Sequence, residues 1–290
     1  MRFGITILPE ARWADMAPRW QTAEEMGFDH AWTYDHLVWA GLRDSPWFGA
    51  LPTLTAAAMV TRRIRLGTFV SSPNYRHPYL FLRDLLAVDD ISDGRLLVGL
   101  GTGGDLDARI TGEDWPLKER VDRFHEFVAV LDRLFREDHV DHDGDHYRTL
   151  DARTLPGAVQ TPRPPFVIAA NGPRALRLAA GHGQGWVTYG KGGDSLDDWW
   201  AGVRELGERL DTAEEAADRE VPLDRYLSLD GSPQYSLESV AVFEDMVGRA
   251  AALGFTDVVT HWPRDGDPYA GSEDVLFEVG SRLEVLRSAT

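Results

Sequence analysis

Cysteine is absent from all 290 residues, which excludes disulfides, thiol nucleophiles and thiolate-ligated metals. Positive charge is scarce: 30 lysines and arginines face 47 acidic residues, for a net charge of −17. Such a surface repels phosphate backbones and anionic lipid, so nucleic acid and membranes are not expected partners. One anionic ligand at a local basic or helix-N-terminal position stays compatible with that field. No apolar run approaches the roughly 18 residues that a membrane span requires. Met1-Arg2-Phe3-Gly4-Ile5 enters β-rich sequence at once, without the apolar stretch of a secretory leader, so a cytoplasmic setting is expected. G-x-S-x-G, H-E-x-x-H and a Walker loop are also missing, which argues against those hydrolase and NTPase classes. Repeats, low-complexity tracts and linkers are lacking too, so the expectation is a single domain over 1–290.

Short apolar runs alternate with longer amphipathic ones. Phe3–Leu8 reads as a strand, and Trp13, Met16, Ala17, Trp20, Ala23 and Met26 follow at helical spacing, with Gly27 where a C-cap belongs. Phe28–Tyr34, Ile64–Ser71 and Arg95–Gly101 read as the next strands, separated by helices over Leu51–Val60 and Pro78–Ile91. Val121, Phe124, Val128, Leu131 and Phe135 then mark one face of a long helix. Phe166–Ala170, Gly185–Tyr189, Tyr226–Leu229 and Thr256–Thr260 supply four more strands, and Leu276, Val279, Leu283 and Leu286 a closing helix. Strict βα alternation implies a parallel sheet, and eight units imply an α/β fold of the (β/α)8 TIM-barrel type, for which this length is ordinary. An open doubly wound sheet is the alternative, since periodicity does not show closure. Insertions are expected after strand 4 (Asp105–Lys118) and after helix 4 (Glu137–Pro165).

In a parallel barrel the chemistry sits at the carboxyl ends of strands. After strand 2 come Asp35 and His36, which suit proton relay or contact with a polar ring edge; a capped local turn would explain them equally. Trp39, Trp47 and Phe48 follow, either the wall of an aromatic or apolar substrate pocket or a packed loop. Strand 4 ends in Gly99-Leu100-Gly101-Thr102-Gly103-Gly104, formally a dinucleotide fingerprint. The acidic loop that follows, and the delay before the next helix, argue against that use and favour close backbone approach to a ring. Asn171-Gly172-Pro173-Arg174 runs straight into a helix and is the best phosphate site, seconded by Tyr189-Gly190-Lys191. The His- and Asp-rich stretch Glu137–His146 could hold a cation, but Asp143-Gly144 signals a hairpin, so no metal is expected.

Taken in order, these pieces resemble the bacterial luciferase-like family of flavin- and deazaflavin-dependent oxidoreductases (the LLM class). They are Ala23-Glu24-Glu25-Met26-Gly27-Phe28-Asp29, Tyr34-Asp35-His36, Arg63-Ile64-Arg65-Leu66-Gly67-Thr68 and Arg76-His77-Pro78. Further on come Ile91-Ser92-Asp93-Gly94-Arg95-Leu96, Gly99-Leu100-Gly101-Thr102-Gly103, Lys118–Phe124 and Asn171-Gly172-Pro173-Arg174. The resemblance implies a (β/α)8 barrel and a cofactor that is either coenzyme F420, the deazaflavin, or FMN. The ring would rest on a bulge at Phe69, Val70 and Ser71, often a non-prolyl cis peptide, and on Gly101, Thr102 and Gly103. The phosphate tail would reach Asn171, Gly172, Arg174, Tyr189, Gly190 and Lys191. His36, helped by Asp35, would transfer protons, with Trp39, Trp47, His261 and Trp262 around the substrate. Chain length and the Gly-Thr-Gly strand end favour the deazaflavin. One departure stands out: sugar-phosphate dehydrogenases of this family carry a glutamate where this chain has Gly104, so that substrate is not expected. A small organic substrate, a homodimer and, with FMN, a separate reductase complete the expectation. The rivals are an FMN monooxygenase, a phosphate-binding barrel lyase or isomerase, and a non-catalytic flavin-binding protein.

Overall fold

A computed structural model describes residues 1–193 and 195–290. Its elements run β1 (Arg2–Thr6), α1 (Trp13–Glu25), β2 (His30–Thr33), α2 (Ala50–Val60), β3 (Arg65–Thr68), α3 (Pro78–Ile91), β4 (Leu96–Leu100), α4 (Leu106–Ile110) and α5 (Leu117–Arg136). They continue with β5 (His139–Asp143), β6 (Arg148–Arg153), β7 (Phe166–Ala169), α6 (Pro173–His182), β8 (Gly185–Thr188), α7 (Leu196–Ala216), β9 (Asp224–Ser228), α8 (Val240–Ala252), β10 (Asp257–His261) and α9 (Glu273–Ala289). The strands other than β5 and β6 form a closed barrel in the order β1-β10-β9-β8-β7-β4-β3-β2. The expected (β/α)8 barrel is therefore present, and the open-sheet alternative falls. The barrel strands up to β8 are shorter than the apolar runs that announced them, whereas β9 starts two residues before its run and β10 ends one residue after its own. No helix among the described residues is long and apolar enough to cross a membrane.

By internal packing the chain forms two compact units interleaved in sequence. One holds Met1–Leu8, Pro18–Trp32 and Val167–Thr290, the other Pro9–Ala17 and Thr33–Phe166. The first is organised around a buried polar chain. Asp257, fully buried, accepts from Arg2 Nε at 2.8 Å and from His30 Nε2 at 2.9 Å, while Trp32 Nε1 donates to His30 Nδ1 at 2.6 Å. Both ring nitrogens of His30 are thus satisfied, as buried polar atoms usually are. Burial alone would raise the Asp257 pKa, but hydrogen bonds from His30 and Arg2 outweigh it and hold the carboxyl below its ordinary value. Gly4 pairs with His30 in the β1–β2 ladder. A Cβ there would lie 2.2 Å from the His30 ring, so only glycine lets this chain of partners close.

The second unit builds its core from aromatic neighbours: Phe127 lies 5.8 Å from both Phe81 and Tyr147. Arg95 explains why the Ser92–Leu96 stretch reads so distinctively. Its guanidinium donates to the carbonyls of Ser92, Ile64 and Ala58 at 2.7, 2.9 and 3.0 Å, tying the end of α2 to the entry of β4. The Glu137–Pro165 segment contains the antiparallel β5–β6 hairpin, with Val140 opposite Ala152. Side chains of the α3 region hold it by its backbone. His77 Nε2 donates to Arg148 O at 3.1 Å, Tyr79 Oη to Arg153 O at 3.2 Å, and Arg83 to Leu155 O at 2.7 Å. From α5, Glu126 accepts the His146 and Tyr147 amides at 3.0 and 2.9 Å and meets His142 Nε2 at 3.0 Å. His139 pairs with Asp151. The His139 and His142 side chains and the His146 amide are thus engaged in fixing the hairpin.

Candidate active site

At the carboxyl end of β2 the chain presents Tyr34, Asp35 and His36. Asp35 is buried and accepts from Ser71 Oγ, from Tyr75 Oη at 2.8 Å and from Arg76 at 2.6 Å. A carboxylate removed from water requires this many donors. Burial and the Asp35 charge push the Tyr75 pKa well up, so its phenol stays a donor. Burial would lower the Arg76 pKa, but Asp35 outweighs that and the guanidinium stays charged. With these partners Asp35 is an anchor: it ties the end of β2 to the segment after β3. The sequence pointed to Asp35 but gave no sign of Tyr75 or Arg76 as its partners.

His36 is 24% exposed, and its Nδ1 lies 2.7 Å from Oδ2 of Asp107, whose side chain is 2% exposed. The other carboxylate oxygen accepts the Leu37 amide at 2.8 Å. In the sequence Asp107 was one acid in an acidic loop. Seventy-one positions separate it from His36, and no spacing rule spans such a gap.

The Phe69–Val70 peptide bond is cis, at the position the family resemblance gave for the bulge. Ser71 bridges to Leu100, its amide donating to Gly99 O at 2.8 Å and its carbonyl accepting from Gly101 N at 2.9 Å. The bulge and the glycine-rich end of β4 therefore lie side by side. Phe69, Val70, Thr102 and Gly103 are partly exposed, whereas Ser71 and Gly101 are buried. Gly103 adopts φ +72°. A Cβ on it would stand 2.6 Å from both Ser72 Cβ and Asn74 Nδ2, and its carbonyl accepts from Arg120 at 2.7 Å. Ser72 Oγ, Asn74 Oδ1 and Arg76 NH1 are buried polar atoms with no hydrogen-bond partner among the described residues. Unsatisfied polar atoms gathered beside a glycine-lined backbone are what a flat ring with carbonyl and N–H edges would satisfy.

Trp39 and Trp47, both half-buried, lie 6.1 Å apart, and Trp39 stands edge-on to Tyr34 at 5.1 Å. Phe48, 45% exposed, borders an apolar hollow of about 210 Å³ together with Pro9, Trp13, Met16 and Pro52.

In the other unit, Asn171 Nδ2 donates to Gly190 O at 2.8 Å while its Oδ1 accepts from Thr188 at 2.7 Å. The Asn171-Gly172 turn and the Tyr189-Gly190-Lys191 loop are thereby joined. Gly172 starts the ten-residue α6 with extended backbone, and among the described residues no side chain caps that end. Arg174 and Tyr189 are exposed, and Lys191 Nζ pairs with Glu205 at 2.5 Å. His261 and Trp262, expected around the substrate, are 1% and 4% exposed. His261 bonds Asp230 at 2.8 Å and stacks on Tyr269 at 3.8 Å; Trp262 Nε1 donates to Glu273 at 2.7 Å. Little of either side chain is left for a ligand.

Comparison with known proteins agrees with this geometry. The model of the luciferase-like monooxygenase family matches residues 1–261. An F420-dependent glucose-6-phosphate dehydrogenase of Amycolatopsis mediterranei (strain U-32) is 31% identical over 269 residues, covering 85% of this chain and 79% of that one. The fold matches that of the coenzyme F420-dependent tetrahydromethanopterin reductase from Methanopyrus kandleri at a TM-score of 0.77, with 18% identity and 97% of each chain covered. It equally matches a monooxygenase from Streptomyces bottropensis at a TM-score of 0.75, with 22% identity over 100% of this chain and 98% of that one. On this evidence the chain belongs to the luciferase-like monooxygenase family.

Proposed function

We propose that the chain is an oxidoreductase that passes hydride between a small organic molecule, aromatic or apolar in part, and a flavin-type ring, coenzyme F420 in preference to FMN. The observation that carries this reading is the continuous hydrogen-bonded path from Asp35 beside His36 to Ser71 beside the Phe69–Val70 bulge. It fixes an acid–base group and a ring-supporting backbone in one frame. The preference for the deazaflavin is supported by the F420-dependent relative and by the Gly101-Thr102-Gly103 strand end.

When bound, the deazaflavin supplies a two-electron hydride acceptor or donor. Phe69, Val70 and Ser71 would support its ring, with Ser72 Oγ, Asn74 Oδ1 and Arg76 meeting its polar edge. A phosphate would suit the Asn171-Gly172 turn at the start of α6, with Arg174 two residues on and the Gly190 loop hydrogen-bonded to Asn171. With the ring as hydride partner, His36 would take the proton of a substrate hydroxyl group during oxidation. Reduction runs the same path backwards. Trp39 and Trp47 would wall the substrate. Glucose 6-phosphate, the substrate in the relative's name, is left out of the proposal, because this chain has Gly104 where the family resemblance implies a glutamate in sugar-phosphate dehydrogenases. The working form is proposed as a homodimer, which light scattering of the purified protein tests.

Absorbance titrations with F420 and FMN, run separately, test the cofactor: saturable binding of F420 is expected, and binding of FMN alone would move the reading to the monooxygenase branch. His36→Ala should lower kcat about 10²- to 10⁴-fold, the usual worth of a positioned acid–base group, with cofactor affinity nearly unchanged. Unaltered turnover would remove His36 from the reaction.

A further inference from the structure

We infer that Asp107 is a positioning residue that fixes the tautomer of His36 and so makes its Nε2 the proton-accepting atom. The inference rests on the reading of His36 given above. A carboxylate only accepts hydrogen bonds. Its Oδ2 lies 2.7 Å from His36 Nδ1, so the proton of the neutral ring sits on Nδ1 and the lone pair on Nε2. The companion oxygen accepts the Leu37 amide at 2.8 Å, which locks the carboxyl group's rotation about the residue next to His36. Asp107 gains nothing from burial that an apolar residue would not give more cheaply, and a lone buried carboxylate is costly unless its oxygens are satisfied. Among the described residues no protein group bonds Nε2, while the ring keeps 24% of its surface exposed. The arrangement has the logic of an acid–base pair in which the carboxylate orients the imidazole and stays ionised throughout. As the substrate O–H bond breaks, the N–H bond forms at Nε2, giving an imidazolium held by Asp107. The reverse direction returns that proton to the carbonyl oxygen.

The decisive variant is Asp107→Asn. Its carbonyl oxygen can keep the Leu37 amide, which turns the amide NH2 toward His36 Nδ1 and favours the proton on Nε2. The first measurement is the side-chain 15N spectrum of the histidines in the cofactor-free protein, with His36→Ala assigning the signal. His36 should carry its proton on Nδ1 in the wild type and on Nε2 in Asp107→Asn. The second is steady-state kinetics with F420: kcat should fall 10²-fold or more in Asp107→Asn with KM changed no more than a few-fold, and Asp107→Glu should recover part of the loss. A wild-type proton on Nε2 overturns the inference without any variant, so the test survives if Asp107→Asn fails to fold. A lower kcat with an unchanged tautomer also overturns it, while leaving His36 in the reaction. A switched tautomer with unchanged kcat instead removes His36 from proton transfer, and the functional reading fails together with the catalytic part of this inference.

Discussion

Gly103 shows how narrowly a single residue shapes the bulge. Alanine there would have to adopt φ +72° and place its methyl 2.6 Å from Ser72 Cβ and Asn74 Nδ2. Such a positive φ costs a side-chain-bearing residue about 1–2 kcal/mol, and the clash adds to it. Gly103→Ala is expected to fold with a lowered Tm and to bind F420 at least tenfold more weakly, as read by the same absorbance titration; unchanged affinity would place the ring elsewhere. Asp35, His36, Gly101 and Gly103 were all legible in the sequence because strand ends and glycines announce themselves locally. Tyr75, Arg76 and Asp107 were not. Each becomes significant only through a contact tens of positions away, and a charged residue in a polar loop looks the same whether it faces water or a histidine. His261 and Trp262 err the other way: their place after β10 was legible, but nothing in their types revealed that Asp230, Tyr269 and Glu273 would engage them.

Among elements, the helices were read more closely than the strands. Pro78–Ile91 was legible to the residue, since Pro at the first turn and the apolar stripe fix both ends. The short α4 was hidden in the acidic loop, being too brief for any periodicity to show. Caps give the helices testable increments. Ser239 Oγ accepts the Val242 amide at the start of α8, so Ser239→Ala should cost about 1 kcal/mol. In a chain of this size that corresponds to a fall in Tm of about 2 °C by calorimetry. The β10 strand offers a pH test through Asp257. Its folded pKa lies below the ordinary carboxylate value, so its contribution is complete above that value and disappears as pH falls through the folded pKa. Asp257→Asn should therefore cost about 1–3 kcal/mol at neutral pH. The gap to wild type should narrow in urea titrations carried below pH 4 or so. A gap that stayed constant into acid would show that Asp257 contributes by packing alone.

On the scale of the whole molecule, charge is the governing property. A net charge of −17 opposes the approach of any phosphorylated cofactor, whatever the local helix terminus offers. Stopped-flow association with F420 should consequently speed up as salt rises from about 10 to 150 mM, because the Debye length shrinks from about 30 to 8 Å. A rate that slowed with salt would mean that local basic groups outweigh the global field. The closed barrel was legible from the count of βα units, since alternation leaves few ways to bury both faces of a parallel sheet. The division into two packed units was not, because of its four boundaries only the one at Phe166 follows a break in composition, the Pro-rich Thr161–Pro165, and those at Leu8, Ala17 and Trp32 follow none. The β5–β6 hairpin carries one more consequence. Because the α3 region holds the hairpin largely by its carbonyls, an outward position such as Leu150, 89% exposed, is free to change. In a protein with no thiol of its own, a cysteine there would be a unique handle for a fluorophore or spin label, reporting on the enzyme without disturbing it.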